Sequence, residues 1–438
     1  MKAVAFGRVA FNICAVALFA GCGTLRQGLR NIPSVAGAEV VPQGRTAHMP
    51  PTYGLRAIYS FKGNPDGQEP QSNIVARSSD PLLIGTTEYG GYYGSGSVYG
   101  MSKNKKGAWT EAVLYSLNGS DGWRPNGIMV PQSLDGTQPA AVTSFQGGAH
   151  GLGAIAVLTP KVNGSWTLSS TYSFAGPADG NGPKGAVVAD AQGNLYGTTQ
   201  GGGRENHGTV YRLQPNGSSY KEKVLYSFHG HRDGVGPSAG LIIDETGALY
   251  GTTAVGGKST VQAGTVFKLT PNANGYIESI LYAFKGQPDG SEPVARLCLD
   301  SSGTLYGTTS LGGKSNAGTV FALVKESSGN GYDEQLLWSF GRGSADGAYP
   351  DGNVIVDTNG VIYGTTVGNS GSGSGTLFTL KRHTEKLYYF NGYNGGDPVA
   401  GPSADSKGNV FIAASSLGAH QDGTVAIARV HTATLTCS

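Results

Sequence analysis

Charge is scarce in this chain. Asp, Glu, Lys and Arg make up 14% of its 438 residues, and the formal net charge is +2. No basic stripe or Lys/Arg cluster stands out, which argues against nucleic acid as a partner. No segment carries the i, i+3, i+4 apolar spacing with caps that a helical repeat needs. The apolar stretch at residues 9–20 is too short to span a bilayer, which takes about 20 residues. Cysteines number four. The sequence has no His-Glu-x-x-His, no P-loop and no Asp-x-Asp-x-Asp loop. Gly180-x-Gly182-x-x-Gly185 fits a dinucleotide pattern, but it precedes a strand and no helix follows to receive a pyrophosphate.

Glycine, by contrast, is abundant. It accounts for 72 residues, well above the roughly 7% of ordinary globular chains. The glycines fall at fixed places in a recurring phrase: Leu-Tyr-Ser-Phe-x-Gly, an Asp-Gly turn, a Pro, a short apolar run, Leu-Tyr-Gly-Thr-Thr, Gly-Gly, and Gly-Thr-Val-Phe. The aromatic of the opening phrase falls at Tyr59, Tyr115, Tyr172, Tyr226, Tyr282, Trp338 and Tyr388, at gaps of 50 to 57 residues. In the fourth unit, Asp244-Glu245-Thr246-Gly247 makes a tight turn between two short apolar runs, and further turns separate a third and a fourth run. Asp suits such turns by bonding its own backbone two residues on, and Gly by accepting positive φ. Four antiparallel strands per unit, repeated radially, predict an all-β fold, the seven-bladed β-propeller of four-stranded antiparallel blades. The seventh unit has only three strands before the chain ends. An unassigned strand with its own Tyr-Ser-Phe lies at residues 55–61, so the N-terminal strand is expected to complete the last blade and remove its open edge.

The domain reading follows: a lipoprotein-type signal peptide at 1–21, a flexible tether at 22–53, the propeller at 54–431 and a C-terminal tail at 432–438. Lys2 and Arg8 supply the positive charge of an export signal. Leu18-Phe19-Ala20-Gly21-Cys22 resembles a bacterial lipobox, with Phe19 where Leu is usual. That resemblance implies that Cys22 is the first mature residue and carries diacylglycerol. Gly23 after it implies an outer-membrane location, facing the periplasm or the cell surface. Cys298 and Cys437 could pair in an oxidising compartment, but the pattern favours a buried small hydrophobe and a thiol on a loose tail.

Leu195-Tyr196-Gly197-Thr198-Thr199 and its equivalents at 249–253, 305–309 and 362–366 resemble the GloVer repeat of bacterial exported proteins, named for Gloeobacter and Verrucomicrobia. The first unit matches partly (Ile84-Gly85-Thr86-Thr87). The second has Ala141-Val142-Thr143-Ser144-Phe145 instead, and the seventh has Phe411-Ile412-Ala413-Ala414-Ser415. The resemblance implies export, a choice of anchor and a repeat array, and it supplies no catalytic residues.

Strand alternation puts the second-to-third and fourth-to-first loops of every blade on one face, around the mouth of the central channel. The Asp-Gly pairs collect there. Asp179, Asp233, Asp289 and Asp346 are candidates for binding, as is His150 in the irregular second blade, though turn formation explains the Asp series as well. Histidines collect there too: His150, His420, and the group His207, His229 and His231, which could act as base and acid or hold a metal. Loop histidines are mostly solvated, so no metal and no cofactor are expected. Two functions compete. The favoured one is a monomeric, lipid-anchored, non-enzymatic binding module for a glycan or protein. The other is a propeller enzyme, a lyase or hydrolase resembling streptogramin lyases, that uses His207, His229 or His231.

Overall fold

The computed structural model describes residues 54–76, 82–131, 139–161, 164–327, 331–343, 346–369, 374–382, 384–430 and 434–437. These residues contain no helix. Seven antiparallel sheets form a seven-bladed β-propeller. Blade four shows the plan, with strands at Ile242–Ile243, Leu249–Thr253, Thr265–Asn272 and Gly275–Ala283. The expected closure is present. Arg56–Ser60 pairs antiparallel with Thr424–Arg429, in register from Arg56↔Ile427 to Ser60↔Thr424. The Phe61 N–H extends the ladder to the Gly423 carbonyl at 3.0 Å. Every blade therefore has four strands, and the last blade keeps no open third-strand edge to pair with a stranger.

Blades pack face to face through one repeated ladder of rings. The Phe of each Tyr-Ser-Phe phrase is fully buried and meets the third-strand aromatic of the next blade almost edge-on. Phe61–Tyr99, Phe174–Tyr211, Phe228–Phe267 and Phe284–Phe321 lie with ring centroids 5.0–5.1 Å apart. Burying each such ring contributes about 2–3 kcal/mol, repeated around the circle. In most blades the fourth strand carries a bulge, as between Val210 and Tyr211 opposite Tyr226 and Val224. Blade six has none between Thr376–Lys381 and Thr384–Tyr389. A bulge adds one unpaired residue, so its loss contributes to that unit being shorter than the others.

Two features were not visible in the sequence. The fourth-to-first loops fold back and pair with the second-to-third region of the blade they enter, as in Gly67–Pro70 with Leu83–Gly90 and Gly290–Ser291 with Leu311–Gly312. The C-terminus is not a loose tail either. Leu435–Cys437 forms a strand that pairs with Ile355–Asp357 on the inner edge of blade six. Cys298 is disulfide-bonded, which corrects the reading of it as a plain buried thiol.

Candidate ligand site at the channel mouth

The residues of the repeated phrase are used up in holding the ring together. In Tyr-Gly-Thr-Thr, the Tyr hydroxyl donates to the Asp of the preceding turn: Tyr196 to Asp190 at 2.9 Å, Tyr250 to Asp244 at 2.9 Å and Tyr363 to Asp357 at 3.1 Å. The Gly makes room for a ring, since a Cβ on Gly251 would fall 2.6 Å from Phe267 Cζ. The first Thr reaches the next blade's inner strand, as Thr198 Oγ1 to the Ala239 carbonyl at 2.9 Å and Thr308 Oγ1 to the Gly352 carbonyl at 3.0 Å. The second Thr bonds across to the third strand, as Thr199 to Thr209 and Thr253 to Thr265, both 2.8 Å. In Gly-Thr-Val-Phe the Gly has positive φ and abuts the next blade's Pro. A Cβ on Gly264 would lie 2.5 Å from Pro293 Cδ.

The Asp-Gly series is consumed in the same way. Asp179, Asp233 and Asp289 each accept the hydroxyl of the Tyr seven residues earlier (Tyr172, Tyr226 and Tyr282) at 2.7–3.0 Å, and also the backbone N–H four residues back. At Asp346 the Tyr is replaced by Trp338. Arg342 bonds the carboxylate instead and stacks 3.6 Å from the Trp338 ring centroid. These carboxylates close turns and lock the seam between blades, as the turn preferences of Asp imply.

The histidines are not assembled into one centre. His229 Nδ1 bonds Asp233 at 3.0 Å and packs edge-on against Tyr226. It occupies the place held by Lys62, Lys285 and Arg342 in other seams, above the Tyr or Trp ring. It also borders an open cleft of about 670 Å³ lined by Pro177, Arg204, Val224 and Tyr226. His231 Nδ1 pairs with Gln262 at 2.6 Å. His207 packs over Gly230, and its carbonyl accepts the Gly236 N–H at 2.9 Å. His150 and His420 are exposed on loops. Among the described residues no group of three His, Cys, Asp or Glu is placed to hold a metal.

A row of acids at the seams was missed. Glu111, Glu222, Glu278, Glu334 and Glu385 sit on fourth strands, each beside the Asp of an Asp-Gly turn. Burial and then the neighbouring Asp push Glu111 up to about 8 and the other four up to about 7. Each keeps its Oε1 buried and without a hydrogen-bond partner. The signal was present as a Glu four residues before the Tyr or Trp of units one, three, four and five.

What remains free to vary is the residue before the Pro of each fourth-to-first loop. Around the ring it is Glu69, Arg124, Gly182, Gly236, Glu292, Tyr349 and Asp397, all at φ between 51° and 66°. Six of these donate their backbone N–H to the previous blade's second-to-third loop, as Glu69 to the Asp422 carbonyl and Tyr349 to the Ala317 carbonyl, at 2.9 and 2.8 Å. This clasp demands the left-handed conformation. Glycine adopts it freely, whereas a residue with a Cβ loses about 1–2 kcal/mol. Five of seven blades nevertheless keep a large side chain there, four of them charged. Arg124 bonds the buried Glu88, which also accepts from Gln71, and lies 5.6 Å from the Tyr89 ring centroid. Ser310 donates to Asp351 at 2.6 Å, and Ser416 to Asp397 at 2.8 Å. Burial, with Asp351 nearby, raises the Glu292 carboxyl. Five exposed aromatics lie in the same set of loops: Tyr92, Tyr93, Trp123, Tyr349 and Tyr393. All five belong to the contiguous arc of the ring formed by blades six, seven, one and two.

Comparison with known proteins adds fold and family. A solved structure described as a hypothetical selenium-binding protein from Sulfolobus tokodaii aligns with a TM-score of 0.54 and 10% identity, over 84% of this chain and 90% of its own. One described as an oxidoreductase (glucose dehydrogenase) from Thermus thermophilus aligns at 0.41 and 14%, over 69% and 95%. At such identities the first likeness speaks for the propeller fold alone. No curated protein matches. The Gloeobacter/Verrucomicrobia repeat model matches residues 140–378, more than half of the chain and spanning units whose signature residues are accounted for above, and the protein belongs to that repeat family.

Proposed function

We propose that this protein is a non-enzymatic binding module that presents the loop face of its propeller to a glycan, held at a bacterial outer membrane through a lipid on Cys22. One observation carries the reading. Five large side chains are kept at backbone positions where glycine would cost less, and one of them, Tyr349, joins four further exposed aromatics at the channel mouth. Strain retained against a cheaper alternative points to a use outside folding. Aromatic faces cover the apolar face of a sugar ring, and carboxylates, amides and Arg124 offer acceptors and donors for its hydroxyls. The address rests on the lipobox-like residues, which lie outside the described residues, and on the Cys298 disulfide, which suits an oxidising compartment. The enzyme alternative has less support, because the His229 and His231 rings are each held by another side chain, Asp233 and Gln262.

The test is a glycan array with the soluble domain, followed by calorimetry on the best hit. Saturable binding without turnover, weakened about tenfold or more by Trp123→Ala or Tyr349→Ala and untouched by His207→Ala or His231→Ala, supports the proposal. Turnover that disappears with the histidine variants contradicts it. For the anchor, Cys22→Ser should abolish labelled-palmitate incorporation and release the protein from membranes. Unchanged labelling would refute that part alone.

A further inference from the structure

The inner edges of the blades line the central channel, and the third residue after each loop Pro marks its waist. Those positions hold Asn73, Ala186, Gly240, Arg296, Asn353 and Gly401, with blade two out of step at Ile128. The small residues are forced. A Cβ on Gly401 would fall 2.2 Å from the Asn353 carbonyl oxygen, and one on Gly240 would fall 2.8 Å from that of Ala186. Three longer side chains are left to fill the lumen. Asn73 and Asn353 bond each other although their blades are not neighbours. Arg296 lies along the wall, with its Nε donating to the Leu241 carbonyl of blade four at 3.2 Å. The chain surrounds much of this residue, which stays partly exposed.

Arg296 has no counter-charge among the described residues. Three acids of the mouth are engaged with other groups, Glu88 with Arg124, Asp351 with Ser310 and Asp397 with Ser416, and the charge beside Glu292 is Asp351. Burial lowers the affinity of Arg296 for its proton, and no acid offsets the effect. An enclosed cation without a partner is costly, and removing it in favour of an apolar residue is often stabilising. A guanidinium presents five N–H donors in a planar fork that matches two oxygens of one anion. Among the described residues only one of those donors, Nε, is used.

We infer that Arg296 is an anion site in the central channel, which takes one small oxyanion: a carboxylate, sulfate or phosphate group. The two amides of Asn73 and Asn353 stand at the same level of the channel and can turn donors towards it. The site does not depend on the glycan reading. The oxyanion can be a free inorganic ion or the carboxylate of a larger ligand that enters through the mouth.

The experiment is thermal unfolding and calorimetry of the soluble domain in sodium sulfate, sodium phosphate, sodium acetate and sodium glucuronate, against sodium chloride at equal ionic strength. The wild-type Tm should rise by about 2–5 °C at saturating oxyanion. Arg296→Met should abolish the rise while its Tm in chloride equals or exceeds the wild-type value. Arg296→Lys, which keeps the charge but not the fork, should retain a reduced rise and covers the case in which the Met variant fails to fold. A response to sulfate or phosphate assigns a free anion. A response to glucuronate and acetate alone assigns a ligand carboxylate. If no oxyanion raises Tm beyond chloride, or if the rise survives in Arg296→Met or is undiminished in Arg296→Lys, the inference is overturned.

Discussion

Raising the pH should loosen the seams between blades, and Glu222 offers the cleanest place to see it. Its carboxyl sits beside Asp179, which already bonds Tyr172, and burial together with that Asp pushes it from 4.5 up to about 7. Other seams hold Lys62, His229, Lys285 or Arg342 nearby, but this one has Ala175 at the equivalent place. A folded-state pKa above the unfolded value means that the folded protein binds more protons in between. The stability tied to Glu222 is therefore fully present below pH 4.5 and is lost as pH rises through 7. A shift of that size would be worth about 3 kcal/mol for a fully buried group. Glu222 is only half-buried, and solvent screening reduces this to about 1 kcal/mol. Five seams of the same sign should make the propeller less stable by a few kcal/mol between about pH 5 and about pH 8.5. Urea unfolding at pH 5, 7 and 8.5 measures the slope. Glu222→Gln should remove about 1 kcal/mol of the difference and leave stability at pH 5 nearly unchanged. Constant or rising stability across this range, or a wild-type slope in the variant, would refute the reasoning.

Deleting residues 1–62 removes the strand that closes blade seven together with Phe61, and the product should aggregate or lose its cooperative unfolding transition in calorimetry. Gly251→Ala places a methyl 2.6 Å from Phe267 and 2.9 Å from Leu241, so it should lower stability by about 1–3 kcal/mol in urea unfolding. His229→Lys installs the lysine found at that place in two other seams, so stability at neutral pH should change by no more than about 0.5 kcal/mol; a larger loss would mean that the imidazole itself matters.

The fold was legible because each unit repeats its turn chemistry and its strand periods. Counting first strands exposed both the seven blades and the displaced strand at residues 55–61. The C-terminal strand was not legible, because Leu435–Cys437 carries no repeat signature and pairs outside the blade plan. The site was harder to read for a physical reason. Repetition draws the eye to Asp-Gly, Gly-Gly and Tyr-Gly-Thr-Thr, and those are the residues that the ring spends on itself. His229 looked like chemistry only until its seam position was seen to hold Lys or Arg in other blades. The residues that stand out in the structure are defined by backbone conformation. Nothing in the letters Glu69, Arg124 or Tyr349 shows a positive φ, although their shared place before a Pro, where two other blades have Gly, was an available hint. Arg296 was invisible for a related reason, since a channel wall becomes apparent only once the blades are arranged in a ring.

The central claim is that the regular positions build the propeller and the strained irregular ones serve a ligand. Replacing Glu292 and Tyr349 together by Gly, two of these positions that hold no buried side chain in place, and measuring Tm and glycan-array binding on the same preparation, tests both halves at once. The account predicts a Tm equal to or above that of the wild type, because Gly relieves left-handed strain, with array binding lost. A folded variant that binds as before, or one that fails to fold, would contradict it.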